Sequence, residues 1–147
     1  MFKKICIIGC GLIGSSLARV IRKNNLSTKI VSSNRSSAVN RRVIKLKIVD
    51  DSSSDTKKMA EGSDLIIIAT PLSSYKNVIS KIKNSFKNGA ILTDVGSVKE
   101  NIIGLVEKLV PENISWIPSH PIAGTEESGP EAGFSELFKN KWCILTP

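Results

Sequence analysis

The sequence has few aromatic residues, a single histidine and no paired cysteines. Aromatic residues make up 5% of its 147 residues. The net charge of +8 therefore does not indicate a nucleic-acid partner, because few rings can stack on bases and the basic residues form no block. Positive charge of this kind suits small anions such as phosphates and carboxylates. Cys6, Cys10 and Cys143 lack the spacing of a zinc site, which predicts reduced thiols, no metal and a cytoplasmic protein.

Long apolar runs are also missing. Lys3 and Lys4 precede a short apolar stretch in the manner of a secretory signal. Three glycines within the next six positions, however, make a poor apolar helix, and the stretch is better explained as a strand and a turn. We therefore expect neither a secretory signal nor a membrane partner.

Short β-branched runs alternate with segments whose apolar residues recur at helical spacing. Strands are predicted at residues 5–8, 28–32, 65–69, 90–95, 114–117 and 142–145. Four helices are predicted between them, with apolar stripes at Ile13, Leu17, Val20 and Ile21; at Val39, Val43 and Leu46; at Tyr75, Val78, Ile79, Ile82 and Phe86; and at Ile102, Ile103, Val106, Leu109 and Val110. This alternation predicts an α/β fold with a doubly wound, mainly parallel sheet and helices on both faces.

A G-x-G-x-x-G motif follows the first predicted strand and opens the first predicted helix. Its residues are Gly9, Cys10, Gly11, Leu12, Ile13 and Gly14. Gly9 would make the tight turn, Gly11 would let the backbone approach a diphosphate, and Gly14 would let the helix pack against the strand. The diphosphate would bind the free N–H groups of the helix N-terminus, at Leu12 and Ile13. With this turn, the pattern indicates a Rossmann-type NAD(P)-binding domain over residues 1–147.

The end of the second strand indicates which cofactor is bound. NAD-binding domains usually have an Asp or Glu there, about 20 residues beyond the glycines, to hold the ribose 2′-hydroxyl. This chain has Asn34, followed by Arg35 and Ser36. A carboxylate would repel a 2′-phosphate, whereas Arg35 beside hydroxyls could bind one. The sequence therefore predicts NADP rather than NAD; the alternative is a polar surface turn whose Asn34 bonds a plain ribose.

Polar residues follow three further strands at the edge where ligands bind such sheets. Thr70-Pro71 ends one strand. Asp94 ends the next, and Ser97 follows it, beginning an S-x-x-E capping box with Glu100. His120 follows the strand after that, and an imidazole there could accept a proton from a hydroxyl at neutral pH. Asp94 is expected to orient other groups rather than to act as an acid.

These segments carry a resemblance to a known family. The turn G-C-G-L-I-G, D-V-G-S-V-K (residues 94–99), S-H-P-I-A-G-T-E-E-S-G (residues 119–129) and I-L-T-P (residues 144–147) resemble the prephenate/arogenate dehydrogenases over essentially the whole chain. The resemblance implies oxidative decarboxylation of a cyclohexadienol in tyrosine biosynthesis. It implies that His120 draws the proton from the C4 hydroxyl and that Ser97 contacts this hydroxyl. It also implies that Thr125 and Glu126 line the substrate pocket, and that Thr70-Pro71 flanks the cofactor.

Two departures from the family pattern qualify that expectation. Glu127 stands where family members often have Lys or another non-acidic residue. The family also has a following helical domain, which supplies an arginine for the substrate carboxylate and the contacts of a homodimer, and the resemblance implies that this domain is absent here. Other interpretations remain open: another Rossmann-fold reductase of hydroxy or imino acids, a non-catalytic NAD(P)-binding module, or, third, a basic nucleic-acid binder.

Overall fold

The structure, a computed structural model, describes residues 1–146. Within this range the chain forms one six-stranded sheet, a small two-stranded sheet and five α-helices. The strands are β1 (Phe2–Ile8), β2 (Ser27–Ser33), β3 (Asp51–Ser53), β4 (Leu65–Ile68), β5 (Ile91–Asp94), β6 (Ser115–Ile117), β7 (Ser119–Pro121) and β8 (Cys143–Leu145). The helices are α1 (Leu12–Lys23), α2 (Ser37–Lys45), α3 (Thr56–Ala60), α4 (Tyr75–Ile82) and α5 (Glu100–Glu107).

The six strands of the main sheet run parallel in the order β3-β2-β1-β4-β5-β6. The direction of winding reverses between β1 and β4, and ligands of such sheets bind outside the carboxyl ends of the strands at that point. Ile8 pairs with Ser33 and with Ile68, and Ile68 pairs with Asp94, so four strands end side by side. The predicted α/β fold is confirmed.

Successive residues of the strands point to opposite faces of the sheet and pack in two separate hydrophobic cores, one on each face. On one face, Ile5, Ile7 and Ile30 pack with residues of α1 and α2 such as Ile21 and Val43. On the other face, the central strands pack with residues of α3, α4 and α5. The near-continuous apolar runs of the central strands are required by this burial on both sides. Among residues 1–146, no helix has the length and apolar character that crossing a membrane requires.

Two elements lack the pattern that a sequence prediction needs. β3 is three residues long and polar, since it lies at the edge of the sheet with few contacts to make. α3 spans only five residues, and Asp55 caps it by accepting a hydrogen bond from the Lys58 N–H at 3.0 Å. A strand this short and polar has no apolar alternation, and a helix this short has no full apolar stripe. The sequence therefore predicts neither element.

The predicted last strand forms, but it does not extend the parallel sheet. β8 pairs antiparallel with β7, with Ile144 opposite His120. Pro118 separates β6 from β7 and has no N–H to continue the ladder, so the chain leaves the main sheet there. Pro147, the last residue of the family-like I-L-T-P segment, lies outside the described residues.

The predicted capping box at Ser97 is wrong. α5 begins at Glu100, its N-cap is Lys99, and no side chain caps it. The reason is that Gly96 and Lys99 both bind the carboxylate of Asp94, which fixes the path of the loop before the helix starts. Ser97 is an exposed residue of that loop.

Candidate dinucleotide and substrate site

The turn after β1 has the conformations predicted for its glycines. Gly9 has a φ of +94°, and a Cβ there would lie 2.8 Å from the Ala69 carbonyl oxygen. A Cβ on Gly14 would lie 2.0 Å from the Gly9 carbonyl oxygen, so α1 starts in direct contact with the turn. The Cβ position of Gly11 has no atom within 4 Å. Gly9 and Gly14 are therefore required by packing, whereas Gly11 leaves open space for a ligand.

The N-terminus of α1 fits an anion. Gly11 is the N-cap, it makes no side-chain cap, and the first turn contains no acidic residue. The N–H groups of Leu12 and Ile13 belong to the first turn of the helix, where no carbonyl of the same helix can accept from them. Free N–H groups and the helix dipole both favour negative charge. The open face of Gly11 and these N–H groups together fit the diphosphate of a dinucleotide.

Asn34 is buried, and its side chain is hydrogen-bonded at both ends of the amide. Its Oδ1 accepts the Cys10 N–H at 2.6 Å, which ties the end of β2 to the glycine turn. Its Nδ2 donates to Asn40 Oδ1 at 3.0 Å and to the hydroxyls of Ser32 and Ser52 at 3.3 Å. The amide therefore holds the turn in place, and both of its N–H donors are engaged within the protein.

Arg35 and Ser36 follow Asn34 and are exposed. The Ser36 hydroxyl caps α2 by accepting from the Val39 N–H at 3.4 Å, and Arg35 forms no ion pair within residues 1–146. Nearby, burial raises the pKa of the Cys10 thiol to about 11, so this cysteine of the turn is protonated and unreactive at neutral pH. Among the described residues, Arg35 is therefore an exposed cation without an ion-pair partner at the end of β2.

Thr70 lies against the glycine turn. Its Cγ2 is 2.9 Å from the position of a Cβ on Gly9. Its Oγ1 is buried and has no hydrogen-bond partner in the described structure. Buried hydroxyls are normally paired, so this one leaves an unmet hydrogen bond at the ligand edge. Pro71 follows it, is exposed, and precedes a 3₁₀ turn at Leu72–Ser74.

Asp94, at the end of β5, is completely buried and is bound by four groups. Its Oδ1 accepts the Ser119 N–H at 3.0 Å, and its Oδ2 accepts the Gly96 N–H at 3.0 Å and the Tyr75 hydroxyl at 2.8 Å. The Lys99 ammonium lies 2.7 Å and 2.6 Å from the two oxygens. Burial, and then the charge of Asp94, raise the pKa of Tyr75, which keeps its hydroxyl a donor. The orienting role expected for Asp94 has this structural basis.

The predicted substrate residues divide into two groups. Ser97 and His120 each directly follow a residue whose N–H binds Asp94, and His120 is half-buried. The imidazole has no hydrogen-bond partner among the side chains that the structure describes, so its nitrogens are available to bind a ligand. Thr125 and Glu126 are exposed and lie in the long loop between β7 and β8. The structure does not bring these two against Asp94.

That loop, residues 122–142, is anchored to the helices of the cofactor end. Arg19 donates to the Pro130 carbonyl at 3.0 Å, and the Phe134 N–H donates to the Ser16 hydroxyl at 3.0 Å. Arg42 of α2 pairs with Glu131. A cavity of about 510 Å³ opens beside the loop, lined by Ile122, Ala123, Gly124, Thr125, Phe134, Glu136, Leu137 and Lys141. The loop therefore joins the predicted substrate residues to α1 and α2.

Sequence reasoning missed three residues of this region. Lys99 and Ser119 lie within the family-like segments without a predicted role, and Tyr75 is predicted only as part of an apolar stripe. All three bind Asp94. The pairing of Lys99 with a buried carboxylate five residues earlier could have been suggested by D-V-G-S-V-K, whereas the contact with Tyr75 depends on the fold.

Comparison with known proteins identifies the family. The model of the prephenate dehydrogenase nucleotide-binding domain matches residues 17–147. Cyclohexadienyl dehydrogenase of Zymomonas mobilis is 37% identical over the whole chain, which covers 50% of that protein. The crystal structure of A. aeolicus prephenate dehydrogenase with hydroxyphenyl propionate and NAD+ has a TM-score of 0.91 and 26% identity, with 100% of this chain and 51% of that chain covered.

Synechocystis arogenate dehydrogenase is similar in structure as well, with a TM-score of 0.89 and 29% identity; 98% of this chain and 50% of that chain are covered. The chain thus spans about half the length of these relatives. The match to the family model extends over most of the chain and includes β2 through β8. The chain belongs to the family of prephenate dehydrogenase nucleotide-binding domains.

Proposed function

We propose that residues 1–147 are the dinucleotide-binding domain of an enzyme that oxidatively decarboxylates prephenate or arogenate in tyrosine biosynthesis. The observation that carries the proposal is that the open glycine turn and the only histidine, His120, both lie beside the carboxyl edge of the main sheet. The turn follows β1, and Ser119, which precedes His120, is hydrogen-bonded to Asp94 at the end of β5. Family membership adds the reaction. The part of the enzyme beyond this domain would supply the arginine for the substrate carboxylate and the contacts of a homodimer, in the cytoplasm.

In this proposal the residues of the chain bind the substrate and the cofactor, orient them against each other, and remove one proton from the substrate. A bound nicotinamide would supply the acceptor for the hydride of ring C4, with loss of CO2 from C1 and aromatisation of the ring as the driving force. His120 accepts the proton of the C4 hydroxyl, because hydride leaves a carbon more readily as its hydroxyl becomes an oxyanion. Ser97 donates a hydrogen bond to the same hydroxyl oxygen. Thr125 and Glu126 line the substrate side, and the protein's main contribution is to position the ring.

We propose that the cofactor is NADP. Gly9, Gly11, Leu12, Ile13 and Gly14 would hold its diphosphate, and Thr70-Pro71 would flank its nicotinamide half. Asn34 replaces the carboxylate that would repel a 2′-phosphate, and it is occupied in holding the turn. Arg35, exposed and free of ion pairs in the described chain, supports binding of the 2′-phosphate by charge-assisted hydrogen bonds.

The test is a turnover assay with both substrates and both cofactors. The chain is assayed alone and mixed with the helical domain of a relative, and formation of reduced nicotinamide is followed with prephenate, arogenate and a panel of hydroxy and imino acids. We expect turnover of prephenate or arogenate alone. Turnover of a hydroxy or imino acid instead would make the chain another reductase, and cofactor binding without any turnover in the mixture would make it a binding module.

A further inference from the structure

The buried carboxylate of Asp94 connects the two segments that carry the proposed reacting residues. Its two oxygens bind different parts of the chain: Oδ1 accepts from the Ser119 N–H and Oδ2 from the Gly96 N–H, both at 3.0 Å. Ser119 immediately precedes His120, and Gly96 immediately precedes Ser97. The Asp94 carboxylate therefore fixes the distance between the backbone that precedes His120 and the backbone that precedes Ser97.

A second set of contacts fixes the histidine segment more firmly. The Ser119 hydroxyl donates to the Asp94 carbonyl oxygen at 2.5 Å and lies 3.1 Å from the Thr93 hydroxyl. Ser119 is thus bound to the end of β5 through both its backbone and its side chain. β7 is only three residues long and outside the main sheet, so these bonds rather than a β-ladder hold it to β5.

The network accepts only a carboxylate. All four partners of Asp94 are donors, and a buried charge is tolerated only when it is paired and hydrogen-bonded. The Lys99 ammonium supplies the opposite charge, and its side chain is 13% exposed. An amide at this position would turn an NH2 group toward one of the donors, so either the Ser119 or the Gly96 N–H would lose its acceptor.

We propose that Asp94 is a positioning residue for the reaction, acting through the backbone of Ser119 and Gly96 to place His120 and Ser97 against the substrate. The inference rests on the proposed function, since it assigns a task to a group that does not itself touch substrate. Misplacement of reacting groups by about 1 Å can cost about a hundredfold in rate. We therefore expect Asp94→Asn to lower kcat about a hundredfold, with KM and the cofactor Kd changed less than threefold.

Asp64→Asn is the matched control. Asp64 also accepts two backbone N–H groups, those of Lys3 and Lys4, and also pairs with a lysine, Lys87. It lies just before β4, at the opposite edge of the sheet from the ligand site. This variant should keep kcat within twofold. An equal loss of kcat in both variants would show general destabilisation and would overturn the positioning role.

The single histidine provides a readout that does not depend on turnover. The His120 imidazole gives one set of NMR signals, and these should shift in Asp94→Asn and stay in place in Asp64→Asn. Hydrogen exchange at the Ser119 and Gly96 amides should be slow in the wild-type chain, although Gly96 lies in a loop, and at least tenfold faster in Asp94→Asn for the amide that loses its acceptor. Rapid exchange of both amides in the wild-type chain overturns the proposal without any variant.

Two further arms complete the test. If Asp94→Asn does not fold, Asp94→Asn/Lys99→Met removes the ammonium that the amide leaves unpaired, and the same NMR signals are measured in that double variant.

In a His120→Asn background, Asp94→Asn should reduce the residual kcat less than threefold, because the effects of residues that act as a unit are not additive. Full additivity, or unchanged His120 signals in a folded variant, overturns the inference. Absence of wild-type turnover counts against the proposed function instead and leaves the NMR readouts interpretable.

Discussion

At the β1–α1 turn the surface offered to a ligand is made of backbone, whereas at the ends of β5 and β7 it is made of side chains held by one carboxylate. The glycine turn depends on missing Cβ atoms: two positions are filled by neighbouring backbone and one is open. The other region depends on Asp94 and its four donors. One donor lies on α4, two lie in the loop that follows β5, and one lies on β7.

This difference predicts which properties a substitution in each region should change. Adding one methyl group to a packed glycine displaces backbone, so the turn should lose its shape and its ligand together. Changing one side chain at the other region leaves the backbone of the sheet intact, so rate should fall while cofactor binding persists.

Gly14→Ala should have the largest effect, because its Cβ would lie 2.0 Å from the Gly9 carbonyl oxygen. We expect dinucleotide binding to fall at least a hundredfold and the free energy of unfolding to fall by about 3 kcal/mol. Gly11→Ala meets open space, so it should weaken binding without lowering stability. Calorimetric binding and urea unfolding measure both quantities. Gly104→Ala, in α5 with nothing within 4 Å, is the control, and equal stability of all three variants would contradict the comparison.

His120→Asn should lower turnover about 10²–10⁴-fold, the usual contribution of a general base. Cofactor affinity should change less than twofold, because the imidazole lies on β7 and the glycine turn follows β1. Steady-state kinetics and cofactor titration separate the two effects. Near-normal turnover would remove His120 from the mechanism, and a parallel loss of cofactor affinity would show that the two regions do not fail independently.

Arg35→Ala should lower NADP affinity about tenfold, the loss of one charge-assisted contact with phosphate, and should change NAD affinity less than twofold. Arg41→Ala is the control, since Arg41 is an exposed cation of the neighbouring helix α2. Titration of each variant with both dinucleotides gives the result. Tighter binding of NAD than of NADP by the unaltered chain would reject the proposed cofactor preference.

Gly133→Ala probes the contact between α1 and the loop of residues 122–142 that follows β7. A Cβ there would lie 2.2 Å from the Ser15 hydroxyl and 2.9 Å from the Ser16 backbone nitrogen, so the loop of residues 122–142 must move away from α1. We expect the KM for substrate to rise about threefold and the free energy of unfolding to fall by about 1 kcal/mol. Kinetics and urea unfolding test this. An unchanged KM would mean that the contact with α1 does not place the substrate residues.

Asp64→Asn gives the smallest effect and a baseline outside both regions. The Lys87 ammonium and the Lys4 N–H lower the pKa of Asp64 from 3.8 to about 2. The folded-state pKa is depressed, so this carboxylate stabilises the fold above about pH 4, and its contribution is lost as the pH falls through 2. The variant should be about 1 kcal/mol less stable at neutral pH, and the difference should shrink below about pH 4 and vanish below pH 2. A difference independent of pH in urea unfolding would contradict this.

Local features were the ones that the sequence predicts well. The conformation of Gly9 and the close packing of Gly14 follow from a motif of six residues placed between a strand and a helix. The buried strands β1 and β4 follow from uninterrupted apolar runs, since a strand covered on both faces must be apolar on both. Family membership follows from segments near the carboxyl edge of the sheet.

Features that depend on distant contacts were missed or mistaken. Ser97 and Glu100 have the spacing of a capping box, but Asp94 binds Gly96 and Lys99 and delays the start of the helix. Asn34 was placed at the correct strand end, but its burial depends on Asn40 and Ser52, which are 6 and 18 residues away. A single sequence records spacing along the chain and does not record which polar side chains will share a buried space.

The amide of Asn34 couples the proposed cofactor preference to the integrity of the glycine turn. Replacing it with aspartate is the obvious route to an NAD-dependent enzyme, and a carboxylate could still accept the Cys10 N–H. The new oxygen, however, would face the Asn40 Oδ1, which now accepts from the Asn34 Nδ2. Two acceptors would then oppose each other in a buried space. A change of cofactor in this scaffold therefore requires Asn40 to turn its amide toward the carboxylate, which gives up the bond from Asn40 Nδ2 to the Asn34 carbonyl oxygen.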